Sequence, residues 1–154
     1  MKPEVTDDHR KLHRFAGTWR SEEIMLDSPW AKGGPAQGLV KALVVLGGFF
    51  VMSDYEQTRE GSVSFNSHSL MTFDQPQASV KLFGFDSLGF VPAAPAIGQW
   101  QEDRLTLMRV SPRGQTRHDY QFENDDTYQL TLANSFDGGK SWIDVLRGVY
   151  RRAG

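Results

Sequence analysis

Apolar and polar residues alternate with a period of two in runs at roughly 18–26, 38–46, 49–58, 62–73, 79–85, 97–101, 104–110, 115–123, 127–136 and 142–151. That period predicts strands. Ahead of them Thr6 or Asp7 is placed to cap a short helix reaching about Arg14, with Leu12 and Phe15 as its packing residues. Turn spellings separate the runs, among them Gly33-Gly34-Pro35, Glu60-Gly61, Asp74-Gln75-Pro76, Ser111-Pro112-Arg113-Gly114 and Asn124-Asp125-Asp126. One short helix followed by about ten short strands predicts an all-β chain: a single up-and-down antiparallel β-barrel. The helix, about 7–14, closes one end and the barrel spans about 17–152; closure removes the edge strands that would otherwise template aggregation. The connection 86–97 lacks turn punctuation, is rich in Pro and Ala, and carries Phe90 and Val91. It predicts a lid or a loose crossing of the barrel mouth.

Alternation also assigns faces. With Trp19 inward, Ser21, Glu23 and Met25 follow it. Val63, Phe65, Ser69, Met71 and Phe73 share a face and leave His68 outside. Later strands present Leu105 and Leu107 with Arg109; Tyr120 and Phe122 with His118; Tyr128, Leu130, Leu132 and Phe136 with Asn134; and Ile143, Val145 and Val149 with Arg147. Tyr55 is in phase with Phe49 and Val51, although Phe50 and Met52 compete for that face. The candidate ligand-binding residues are therefore Glu23, Tyr55, Arg109, His118 and Arg147. If Trp19 stands opposite Arg151, the residue opposite Glu23 is Arg147. A cross-strand ion pair then follows, with the Arg151 guanidinium stacked on the indole. Such a pair is either structural or leaves Arg147 to meet an anionic ligand group. Ten strands enclose a cavity unless Phe65, Phe73, Phe83 or Phe85, Phe122 and Phe136 fill it.

The length, 154 residues, suits one domain over 1–154, and 17 basic against 19 acidic residues without blocks of either sign argue against nucleic acid as a partner. No cysteine is present, which excludes disulfides, thiolate catalysis and sulfur-ligated zinc. The polar N-terminus lacks a signal-peptide core, so a cytoplasmic location is expected. The most apolar stretch, 39–52, is broken by Lys41 and Gly47-Gly48, and no membrane partner is expected. His9 and His13 lie one turn apart on what reads as a solvated helix face without a third ligand, so no metal or other cofactor is expected. Catalytic motifs are absent; Glu23 and His118 would be the one acid–base couple if they met in a pocket.

Two spellings carry a resemblance. Gly17-Thr18-Trp19-Arg20 is similar to the opening of the first strand in lipocalins, where Gly turns the chain in and Trp plugs the barrel floor. Ser135-Phe136-Asp137-Gly138-Gly139-Lys140-Ser141-Trp142 matches the Asp-box of sialidase propellers. Here it occurs once and predicts a rigid hairpin in which Asp137 accepts backbone hydrogen bonds, Gly139 takes positive φ and Trp142 packs beneath. With Leu46-Gly47-Gly48-Phe49-Phe50, Gly84-Phe85-Asp86-Ser87 and Gly148-Val149-Tyr150-Arg151, the chain resembles a bacterial calycin-like barrel family of unknown function. The resemblance implies the fold and lends no activity or ligand. A fatty-acid carrier would show Arg-x-Tyr on its last strand, whereas Arg147 and Tyr150 are one residue out of phase. A nitrobindin-type haem carrier would show a glycine-rich turn after its first Trp and a late His, whereas Ser21-Glu22-Glu23 follows here and no His lies beyond His118. The expected function is non-catalytic binding of a small, largely apolar molecule with an acidic or polar end. The alternatives are a filled barrel acting as a homodimer through Ile24, Leu26 and Trp30, or a small-molecule enzyme using Glu23 and His118.

Overall fold

The computed structural model describes residues 2–29 and 31–153. Trp30, the centre of the suggested homodimer patch, lies outside the described residues. Helix α1, Asp7–Leu12, starts at a capping box in which Thr6 accepts from the His9 backbone N–H while the His9 ring takes the Thr6 N–H. A 3-10 turn, His13–Phe15, leads into strands β1 (Gly17–Met25), β2 (Gly34–Val45), β3 (Phe50–Arg59), β4 (Ser62–Asp74), β5 (Ser79–Asp86), β6 (Ala96–Gln101), β7 (Arg104–Ser111), β8 (Gly114–Asn124), β9 (Thr127–Ser135) and β10 (Ile143–Arg152), with a second 3-10 turn, Leu46–Gly48, between β2 and β3. Each strand pairs antiparallel with its sequence neighbours and β1 pairs with β10, so the ten strands form a closed up-and-down barrel. No helix among the described residues is long and apolar enough to cross a membrane.

The helix end is a plug. Leu12, Phe15 and Trp19 are buried, and Phe15 meets Tyr120, Phe122 and Tyr128 edge-on at 5.0–5.6 Å. Trp19 donates its indole N–H to the Phe15 carbonyl at 2.9 Å, and the guanidinium over its ring at 4.3 Å belongs to Arg152. Gly17 sits at φ +126°, a conformation that favours glycine, and a Cβ there would push against the Arg152 guanidinium at 2.4 Å. The helix face carrying His9 is not solvated. His9 is buried against Phe49 and Phe73, its pKa is lowered chiefly by burial, and His13 bonds the Gly48 carbonyl oxygen.

The opposite end is the mouth. The segment 87–95 crosses there with Leu88, Phe90 and Val91 exposed, and Arg113 from the β7–β8 turn lies 3.4 Å over the Phe90 ring. The β9–β10 hairpin is the Asp-box turn the sequence predicts. Asp137 accepts from the Ser141 N–H and from the Ser135 and Ser141 hydroxyls, while Ser135 Oγ takes the Gly139 N–H. Gly139 has φ +88°, and those hydrogen bonds hold the Asp137 carboxyl down at about 2. Trp142 packs under the Arg117 guanidinium at 4.5 Å.

Three face assignments from alternation are corrected. In β10 the buried side is Leu146, Gly148 and Tyr150, so Arg147 and Val149 point outward, whereas Ile143, ahead of the bulge, stands opposite the inward Asn134 and is exposed at the mouth. A bulge between Asp144 and Leu146 shifts the register there, and Trp19 stands opposite Arg152, not Arg151. In β4 a bulge beside Gln57/Thr58 resets the phase, leaving Phe65 inward and Val63 outward and exposed. Phe136 lies beyond the last residue of β9, and it is exposed in the hairpin. Phe83 and Phe85 also face out. Three of the candidate filling rings therefore do not enter the interior.

Candidate ligand site inside the barrel

Two polar groups project into the interior from different walls. The first is built on β1, β3 and β10. Glu23 is 2% exposed, and its carboxylate accepts from Tyr55 Oη at 2.7 and 2.9 Å and from Tyr150 Oη. Gln57 donates to Tyr55 Oη at 3.2 Å and to Met25 Sδ at 3.3 Å. Two glycines make the room. A Cβ on Gly38 would lie 2.2 Å from Ser21 Oγ and 2.9 Å from Tyr55 Cε1, and one on Gly148 would lie 2.9 Å from Tyr150 Cε1 and 3.0 Å from Glu23 Cγ. Burial, reinforced by the Glu23 charge, pushes the hydroxyls of Tyr55 and Tyr150 well above the usual phenol range, so both remain donors. The Tyr150 ring stacks on Tyr128 at 4.9 Å and 2°, tying this group to the aromatic plug.

The second group lies on β7 and β8. Leu107 pairs with His118 and Arg109 with Thr116, placing the guanidinium next to the imidazole on the inner wall. Arg109 has no hydrogen-bonding or ion-pair partner among the described residues. His118 stacks on Tyr120 at 6.4 Å, and burial, with the Arg109 charge second, lowers its pKa to about 4. His118 is therefore neutral at pH 7. Around them Tyr120, Leu130, Leu132 and Asn134 also point inward, yet are only half-buried. Side chains inside a closed wall stay accessible only where they border open space, so this part of the interior is not packed solid. Beyond β6, the β4–β5 wall turns small groups inward, Ser67, Ser69 and Gly84.

Of the sequence candidates, Glu23 and Tyr55 are in direct contact, and Arg109 and His118 are neighbours. No hydrogen bond joins Glu23 to His118, since each is engaged by its own group. Arg147 belongs to neither. Its guanidinium lies outside and bonds Asp144 at 2.6 Å, so the Glu23–Arg147 pair does not exist and Glu23 stands opposite Gly148. Arg151 is exposed, and Arg152 takes the stacking place expected of it. Tyr150 and Gln57 belong to this group and are not singled out by alternation, whereas Ser21 lies on the inner face that alternation gives it. The signal available for Tyr150 was its spacing from Gly148, because a glycine facing a buried carboxylate marks the inward side. Arg147→Met is expected to change stability by less than about 0.5 kcal/mol in urea unfolding, since the ion pair it loses is exposed. A loss above about 2 kcal/mol would return Arg147 to the interior.

A pH effect arises at His118. Its folded-state pKa of about 4 lies below the ordinary imidazole value of 6.5, so between these values the unfolded chain binds a proton that the barrel does not. Stability is then lost as pH falls through that window, by no more than about 3 kcal/mol. His118→Gln should remove this part of the dependence. Urea midpoints of the two proteins at about pH 7.5 and 4.5 test it, and equal acid-induced losses would reject a neutral buried imidazole.

Comparison with curated proteins returns no match. Among solved structures, the S-type phycobiliprotein lyase CPES of Guillardia theta superposes with a TM-score of 0.70 at 14% identity, covering 99% of each chain. Rv2717c of M. tuberculosis superposes with a TM-score of 0.74, also at 14% identity, covering 98% of this chain and 100% of its own. Identities this low speak for the shared barrel and not for a shared ligand. Among the described residues no cluster of His, Asp and Glu is arranged to hold a metal ion. The sequence model of the family described as protein of unknown function, DUF1579, matches residues 4–152, and the chain belongs to that family.

Proposed function

We propose that the barrel binds a small, largely apolar molecule whose acidic end meets Arg109. The observation that carries this reading is an inward guanidinium without an acceptor among the described residues, set beside Thr116, Leu107 and the neutral His118. A cation in such a place is satisfied by an anion supplied from outside the chain. On the other wall Glu23 already occupies the two tyrosine hydroxyls that would otherwise receive a ligand acid, so the acidic end is directed to β7 and β8. The apolar body then lies along Tyr120, Leu130 and Leu132.

A fluorescent fatty acid with its dye at the chain end, together with its methyl ester, tests the reading. The acid should bind the unaltered protein, and Arg109→Met should weaken it at least tenfold, the loss of one charge-assisted contact. The ester should bind both proteins alike. Equal affinity of the acid for both proteins would remove Arg109 from the site.

A further inference from the structure

We propose that the outer face of β5 to β8 and the segment 87–95 form a docking surface for an anionic lipid bilayer. This goes beyond ligand binding inside the barrel and does not depend on it. The face gathers Phe83, Phe85, Ile97, Met108 and Val110 as exposed apolar side chains, and the crossing segment adds Phe90. Cross-strand register sets one row across the face: Lys81 stands beside Ile97, Ile97 beside Met108 and Met108 beside Arg117, with Phe83, Phe85 and Val110 above it on β5 and β7. From that row up to the mouth, no outward-facing side chain on these four strands is acidic, and neither is any residue of 87–95. The cations are Arg117 and Arg113, with Lys81 engaged by Asp74 at the lower edge. A patch of this extent on a small barrel marks an interaction surface rather than ordinary surface scatter.

Its chemistry selects the occupant. The strand β5 pairs with β6 only through Val80, Lys81 and Leu82, so the wall above is finished by segment 87–95, which stands proud of the sheet with Val91 88% exposed. Beyond Ser87 that segment has no side chain able to donate or accept a hydrogen bond. A protein partner would be read through a polar rim, whereas a bilayer surface requires apolar groups that insert and cations that meet lipid phosphates. The surface is not a run in the sequence, because its residues are distributed over several segments and are brought to one face by strand pairing.

The test is co-sedimentation of the whole chain with vesicles of equimolar phosphatidylglycerol and phosphatidylcholine, and with vesicles of phosphatidylcholine alone. Binding to the mixed vesicles is expected, weakened by salt. Phe85→Ser with Val91→Ser should reduce it about tenfold or more. The control, Leu43→Ser with Leu46→Ser, removes equally exposed apolar groups at the helix end and should leave binding unchanged. As a readout in an otherwise unaltered surface, Leu88→Trp should shift its emission to the blue on adding the mixed vesicles, relative to buffer. The proposal is overturned if neither vesicle is bound, if the Phe85/Val91 variant binds as well as the unaltered chain, or if the same substitutions abolish self-association in sedimentation velocity. The last outcome would assign the patch to a second copy of the chain.

Discussion

Replacing Trp19 by alanine is expected to cost about 3–5 kcal/mol, the range for deleting a fully buried aromatic whose surroundings collapse only in part. Trp19 has no exposed surface, meets Tyr128 at 4.7 Å and anchors Phe15 through its indole N–H. Arg152, stacked over the indole, also donates to the carbonyls of Ala16, Arg14 and Asp125. The indole thus supports the junction of the helix, the first strand and the last. For a chain of this length the melting temperature should fall by roughly 10–15 °C. A loss under about 1 kcal/mol in calorimetry or urea unfolding would contradict its place in the plug.

The second large effect is expected when both hydroxyls are removed from the Glu23 group. Tyr55→Phe with Tyr150→Phe leaves a buried carboxylate without its donors and should cost about 3–5 kcal/mol. Adding Glu23→Leu should recover much of that loss, because an apolar side chain needs no donors. Each tyrosine change measured alone should be non-additive with Glu23→Leu by more than about 1 kcal/mol, as expected of groups in contact. Additive effects throughout the cycle would mean that the carboxylate does not depend on the two phenols. The experiment also asks why the barrel keeps a charge where an aliphatic residue would serve. If in Glu23→Leu alone, with both tyrosines kept, the fluorescent acid binds at a second place beside the freed hydroxyls, the carboxylate acts to steer the ligand to Arg109.

Strand positions, the helix cap, the Asp-box turn and the closed barrel were legible in the sequence because each rests on local signals. Thr6 caps the helix directly after it, Gly139 permits its own turn, and period-two runs of sufficient length form strands wherever they pack. Inner faces were equally legible on β1, β7 and β8, where alternation runs unbroken from Trp19 to Glu23, from Leu105 to Arg109 and from His118 to Phe122. The members of the site on those strands, Glu23, Arg109 and His118, were found for that reason, and Tyr55 through its phase with Val51.

The misassigned positions lie near bulges and at strand ends. One inserted residue beside Asp144 inverts the parity that alternation assumes, so alternation turns Arg147 inward and hides Tyr150, which donates to Glu23. The same effect beside Ser64 misplaced Val63. On β5, Phe83 and Phe85 bracket Gly84 within a run apolar on both faces, and the pattern does not choose between them. Residue order therefore determined which segments are strands and which polar groups travel with Trp19. The register between β1 and β10 decided which of them meet, because closing the barrel couples every strand to its neighbours and a shift of one residue exchanges the inside for the outside.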